Sequence, residues 1–200
     1  RVFVVNPNNT ASNLRLEDMF KNCSNFDGSN STTVLQAWNT GVATRMDGMF
    51  QGCIKFDVDI SGWDTKAVTT MEQMFDVGTS GGTFDQPIGS WNVATVTNMC
   101  GMLTGQVNFN QDLSNWNVNS WSTASGAGAQ PIVAGSVANF QLSTANYDAL
   151  LVAWDNYTFP SWPGGTVDFG NSTYSLGSSA ATARASLVTK WGAILDGGGV

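Results

Sequence analysis

Two hundred residues carry a net charge of −7, with eight Lys plus Arg against fifteen Asp plus Glu and no histidine. Nucleic-acid phosphate needs Lys or Arg to displace its counterions, and the stretch from Ala67 to Ala183 has neither. Without histidine the chain lacks the usual general base near neutral pH, the Ser/His and Cys/His nucleophile pairs and the commonest zinc ligand.

The chain opens on Arg1 instead of Met, which reads as a processed product or fragment, and no signal peptide or apolar run of roughly 20 residues is visible. From Leu14 a pattern recurs. Aligned on tryptophan it reads Trp38, Met46, Met49, Phe50, Phe56, Ile60; then Trp63, Met71, Met74, Phe75, Phe84, Ile88; then Trp91, Met99, Met102, Leu103, Phe109, Leu113, Trp116. The period is 25 residues, broken by three extra residues in "DVGTSGGTF", Asp76 to Phe84. A degenerate first copy keeps Leu16, Met19, Phe20 and Phe26, with five extra residues in "DGSNSTTV" delaying Trp38. Self-similarity at this period is the mark of a solenoid of the leucine-rich kind.

Each copy divides by periodicity. Val68, Met71, Met74 and Phe75 fall at i, i+3, i+6 and i+7, which predicts one face of a short helix. "FNQDLSNW", Phe109 to Trp116, alternates like a short strand between turn-forming residues. The expected fold is therefore an α/β solenoid, a leucine-rich-repeat-like right-handed stack with a short strand and a short helix in each of about four coils over residues 1–118. No coil buries its apolar face alone, so the Met, Phe and Trp residues form shared ladders instead of a cofactor box or an aromatic cage. Cys23 and Cys53 each lie four residues after the second Met of their copies. Parallel strands sit about 4.8 Å apart and disulfides want Cα separations of about 4.4–6.8 Å, so these two are expected to be adjacent, bridged in an oxidising setting or packed as two buried thiols. Cys100 has no partner.

"WNVATVTNMCGMLTGQVNFNQDLSNW", Trp91 to Trp116, resembles the repeat of the BspA-like leucine-rich-repeat bacterial surface proteins, also labelled DUF285. Its "FNQDLSNW" is a close match to that repeat's ending, and the likeness covers about Leu14 to Val118. Leu103 stands where the usual residue is Phe. The resemblance implies a secreted or otherwise surface-displayed protein, and adhesion to host proteins or other cells.

Residues 119–136, Gly/Ala/Ser-rich, are expected to form a transition loop, and residues 137–200 a C-terminal α/β cap on the solenoid or an independent module. In that segment "LSTANYDALLVAW" predicts a helix capped by Ser143 or Thr144, with Tyr147, Leu150, Leu151 and Trp154 on one face. "GSSAATARASLVTKW" predicts a second, with Ala180, Leu187, Val188 and Trp191 inward, while "GTVDFG" and "GAILDGG" read as short strands. The tail, Tyr147 to Leu187, also resembles the segment that follows such repeats in surface proteins.

Two sets of residues are candidates for ligand binding. In "YTFPSWPGG", Tyr157, Phe159 and Trp162 are clustered and stiffened by proline, either as a recognition tip or as a plug closing the cap. In the strand halves, Asp57 and Asp85 share one position with Asn110, and Asp112 shares another with Asp59, so stacking yields oxygen ladders that calcium or a ligand would meet. No calcium-loop motif accompanies them, and the expectation is no cofactor and no catalysis. The expected function is a non-catalytic, extracellular or surface-displayed recognition or adhesion module for a protein or glycan on another cell or matrix. A coat, fibre or virion component that assembles with copies of itself is the alternative. Neither nucleic acid nor membrane insertion is expected.

Overall fold

The computed structural model describes residues 14–29, 32–121, 140–158 and 165–200. Four repeat units, each closed by its tryptophan, occupy residues 14–38, 39–63, 64–91 and 92–116. Regular elements in them are few: β1 (Leu14–Arg15), α1 (Thr32–Gln36) in the first insertion, β2 (Ala43–Arg45) paired parallel to β1, and a single 3-10 turn at Ile88–Ser90.

The short helix expected in every unit does not form, and the reason lies in the backbone. Alternate residues donate their N–H groups to the following unit: Asp18 to Asp47 at 3.0 Å, Phe20 to Met49 at 2.9 Å, Gly48 to Glu72 and Phe50 to Met74 at 2.8 Å. The next step repeats this, with Gln73 donating to Cys100 at 2.8 Å and Phe75 to Met102 at 2.9 Å. Residues between them close tight i to i−3 turns, such as Gln51 to Gly48 at 3.0 Å and Cys53 to Phe50 at 3.0 Å. A helix satisfies its amides within itself, whereas this segment gives half of them to its neighbour. One position in every unit has a left-handed backbone that makes the alternation work, held by Asp18, Gly48, Gln73 and Gly101 with φ of 55°, 61°, 53° and 65°, and a second follows at Asn22, Gly52, Gly78 and Gly105 with φ of 62°, 77°, 60° and 79°. The apolar spacing that suggests a helix face arises from this chain of turns.

The strand halves are not strands either, and hold together through side chains. Asp57 Oδ1 accepts from the Asp85 N–H at 3.0 Å and from Gln86 Nε2 at 2.7 Å. One unit on, Asp85 Oδ1 accepts from the Asn110 N–H and from Gln111 Nε2, both at 2.8 Å.

Inside the stack, aromatic rings lie in three columns. Trp38, Trp63 and Trp91 follow at 6.0 and 6.4 Å with ring planes within 4°. Phe20, Phe50 and Phe75 are spaced 5.3 and 5.7 Å. Phe56, Phe84, Phe109 and Phe140 continue at 5.9, 6.1 and 6.4 Å. Met46, Met71, Met99 and Met102 fill the space between them and are fully buried. Tryptophan Nε1 atoms donate to the preceding unit: Trp63 to the Leu35 carbonyl, Trp91 to Ile60 and Trp116 to Ile88, at 2.8, 3.2 and 3.0 Å.

The C-terminal segment carries α2 (Thr144–Trp154), β3 (Gly165–Asp168), β4 (Thr173–Tyr174), α3 (Ser179–Trp191), β5 (Gly192–Leu195) and β6 (Gly198–Gly199). Ser143 caps α2 and Ser178 caps α3, each accepting backbone N–H groups of the first turn. Strands β3 and β5 pair parallel, from Gly165↔Gly192 to Asp168↔Leu195. Phe140, Tyr147, Leu151, Trp154, Phe169, Leu187 and Trp191 belong to the same buried cluster as the repeat residues, so the core is continuous. At its polar edge Asp196, almost fully buried, binds Arg184 through both oxygens at 2.7 and 3.0 Å and accepts from the Tyr147 hydroxyl at 2.7 Å.

Candidate functional site

An insertion builds a concavity on the described surface. Where unit 3 carries its extra residues, the chain swings out at Asp76–Gly81 and walls a solvent-open groove of about 600 Å³. Lys21, Asn22 and Ser24 of unit 1, Gln51 and Gly52 of unit 2, and Asp76, Gly78 and Ser80 of unit 3 line it. Its floor is the ladder itself, with the Asn22 N–H on Gln51 O at 2.6 Å and the Gly52 N–H on Asp76 O at 2.8 Å. Gln51 Nε2 reaches Asp76 Oδ2 at 3.2 Å, while Asp76 Oδ1 accepts from the Gly78 N–H at 2.7 Å and fixes the turn into the wall.

A buried glutamine clamps that wall. Gln106, only 2% exposed, donates Nε2 to the Phe75 carbonyl at 2.6 Å and accepts the Phe84 N–H on Oε1 at 3.1 Å, bracketing both ends of the insertion. Glycines allow the close fit: a Cβ on Gly105, whose φ is +79°, would stand 2.1 Å from the Gly78 carbonyl. Sequence reasoning missed the groove and the clamp. The available signal was an amide at position 106, in the column where units 1 and 2 have Cys23 and Cys53, one unit after the insertion.

Ammonium, amide, carboxylate and hydroxyl groups on a rigid floor suit a ligand that offers both donors and acceptors, such as a polyol or an extended polar peptide. Among the described residues the groove holds no nucleophile beside a base, and no three Cys, Asp or Glu side chains gather as metal ligands.

Among the described residues, the ligand residues expected from sequence do not gather into one site. Asp57 and Asp85 do share one column, but their Oδ1 atoms are already taken by the next unit, which makes them joints of the stack instead of a vacant ladder. Asp112 sits in the neighbouring column and its Oδ1 accepts from the Ser114 N–H at 2.8 Å, an Asx turn like the one Asp59 makes with Ser61. That turn holds the Asp59 carboxyl below its ordinary range. Tyr157 is half-buried and packs against the core, while Phe159 and Trp162 lie outside the described residues, as do residues 122–136 of the expected transition loop.

The expected Cys23–Cys53 bridge is not formed. Both thiols are free, Cys23 exposed and Cys53 buried. They are neighbours all the same: Cys53 Sγ donates to the Phe20 carbonyl at 3.0 Å, and that carbonyl also accepts the Cys23 N–H at 3.0 Å. Asn22 and Gly52 are both left-handed, so the two cysteines follow equivalent turns; Cys53 is covered by unit 1, whereas no described unit lies before Cys23. Burial, with Cys23 adding to it, pushes the Cys53 thiol up to about 12.

No curated protein and no solved structure matches the chain. One family model does match, over residues 14–129, which is more than half of the chain and takes in all four units just described. The chain therefore belongs to the DUF285 family, described as Mycoplasma protein of unknown function.

Proposed function

We propose that the chain is a non-catalytic recognition or adhesion module, displayed outside the cell, that binds a protein or glycan partner. Its fold is read as a BspA-like leucine-rich-repeat solenoid closed by a C-terminal α/β cap. The observation that carries this reading is the groove over units 1–3: an insertion in one repeat, held by a buried glutamine, turns an even stack into a concave polar surface. A stack serving only to fill space has no use for such a device, whereas recognition is commonly carried by loops set on rigid scaffolds.

A screen of the purified chain against a glycan array and extracellular-matrix proteins tests the reading. Binding by at least one probe, weakened tenfold or more by Gln51→Ala and Asp76→Ala in variants that remain fully folded at the assay temperature, is the expected result. Binding that both substitutions leave intact would remove the groove from the proposal.

A further inference from the structure

One column of the stack runs through the groove with its charge graded along it. The residue after the ring column is Lys21 in unit 1, Gln51 in unit 2 and Asp76 in unit 3, so a cation, an amide and an anion succeed one another. The rings set their spacing: Phe20, Phe50 and Phe75 follow at 5.3 and 5.7 Å, which puts the backbones of Lys21 and Asp76 about 11 Å apart. Neither charge is used up by the fold. Asp18 Oδ1 takes Lys21 Nζ at 3.1 Å and leans over unit 2 where Gly48 leaves room, since a Cβ there would stand 2.2 Å from that oxygen. An ammonium has three N–H donors, so Lys21, on the exposed rim, keeps donors for a ligand. Asp76 accepts from Gln51 Nε2 on one oxygen and from the Gly78 N–H on the other, and a carboxylate has about four acceptor positions.

We propose, on the reading of the groove as a recognition site, that its partner is an extended polypeptide segment carrying one acidic and one basic side chain four residues apart. The acidic side chain meets Lys21 and the basic one Asp76. In an extended chain residues i and i+4 lie on one face, about 13 Å apart at a rise of about 3.3 Å per residue, and two long side chains close the difference from 11 Å. Between the two charges the Gln51 side chain, an amide held in place by Asp76, faces peptide groups that offer a donor and an acceptor each. A sugar can supply a carboxylate, but an anion and a cation at one fixed distance are what a chain of amino acids supplies. Among the described residues no aromatic ring lines the groove for a sugar face to stack on. Charges on an open surface contribute modest affinity and strong discrimination, because a partner with the wrong sign at either end meets repulsion there.

The probes are fluorescent Gly/Ser peptides carrying two charged residues four apart, Glu/Lys, Lys/Lys or Glu/Glu, titrated with the full chain at low salt and followed by anisotropy. The Glu/Lys peptide should bind about fivefold more tightly than either like-charged peptide, and salt at about 0.5 M should erase the difference. Lys21→Glu should move the preference to Lys/Lys, and Lys21→Glu combined with Asp76→Lys should return it to Glu/Lys. Asp76→Asn, which keeps an oxygen for the Gly78 N–H and so keeps the wall, should let Glu/Glu bind as tightly as Glu/Lys. No binding by any of the three peptides, or a preference that these substitutions leave unchanged, would overturn the proposal. A neutral glycan whose binding Gln51→Ala weakens and Lys21→Glu does not would keep the groove and exclude this partner, whereas probes that ignore Gln51→Ala would remove the groove itself.

Discussion

Trp154 Nε1 donates to the Leu113 carbonyl at 3.3 Å, the same bond that Trp63, Trp91 and Trp116 make to the units before them. Although Trp154 lies on α2, it takes the place of the next tryptophan in the column. Two further joints repeat the trick. Phe140 stacks on Phe109 as Phe109 does on Phe84, and Asn110 Oδ1 accepts the Ser143 N–H at 2.7 Å as Asp85 accepts that of Asn110. Asn146 Nδ2, 2.8 Å from the Asn110 carbonyl, stands in for the glutamines of the units below. The C-terminal segment thus closes the stack by imitating a repeat.

This joint predicts that repeats and C-terminal segment unfold together. Trp154→Phe leaves the buried Leu113 carbonyl with the Trp116 N–H and no indole donor, and should lower stability by about 0.5–1.5 kcal/mol in urea unfolding. Trp154→Ala opens a cavity as well, and should cost about 3–5 kcal/mol. Two separate transitions in the native chain would show that the joint does not couple the halves.

Glycine positions give a second prediction, about the backbone alternation. At Gly105 a methyl group meets left-handed φ and the Gly78 carbonyl, while at Gly62 it meets open space at an ordinary φ. Gly105→Ala should therefore be strongly destabilising, beyond the roughly 1–2 kcal/mol of the left-handed penalty alone. Gly62→Ala should stay within about 0.5 kcal/mol of the native chain or stabilise it slightly. Thermal melts of the two variants side by side check the contrast.

The layers of this architecture differ in how well the sequence displays them. The aromatic columns are readable from Trp38, Phe50 and Phe56 because burial depends on apolar residues recurring, whatever the backbone does between them. The conformation between them is not. Apolar positions at i, i+3 and i+7 fit a helix and a chain of tight turns equally, and only the left-handed Gly48 and Gly101 betray the second. Helices α2 and α3 are legible because their caps, Ser143 and Ser178, and their apolar faces agree. The ladder aspartates mislead for another reason: Asp57 looks like a surface carboxylate until stacking puts the Asp85 amide and Gln86 on one of its oxygens. The groove depends on where an insertion folds, which the fit of Gln106 and Gly105 decides and local pattern does not.

The aspartate ladder yields a third prediction, in which oxygen geometry matters and charge does not. Asp85→Asn preserves an Oδ1 acceptor for the Asn110 amide and Gln111, and should change stability by less than about 0.5 kcal/mol. Asp85→Ala removes the acceptor and should cost about 1–3 kcal/mol. Since these oxygens are already engaged, millimolar calcium should leave the melting temperature unchanged. A rise with calcium that Asp85→Asn abolishes would instead show a vacant cation site.

The thiols supply the last prediction, on pH. Buried Cys53 holds its proton up to about 12, against an ordinary value of 9.0. Its folded value is raised, so its contribution to stability is intact below pH 9 and is lost progressively as pH rises from there toward 12, because only the unfolded chain releases the proton easily. Serine does not titrate in this range. The stability difference between the native chain and Cys53→Ser, measured by urea unfolding, should therefore hold up to about pH 9 and narrow from there to pH 11. Alkylation at pH 8 gives the matching kinetic result: exposed Cys23 should react at once, and Cys53 only at the rate at which the stack opens, since a protonated, buried thiol is not a nucleophile. Equal rates at the two positions would mean that Cys53 reaches solvent in the native chain, and that unit 1 does not cover it.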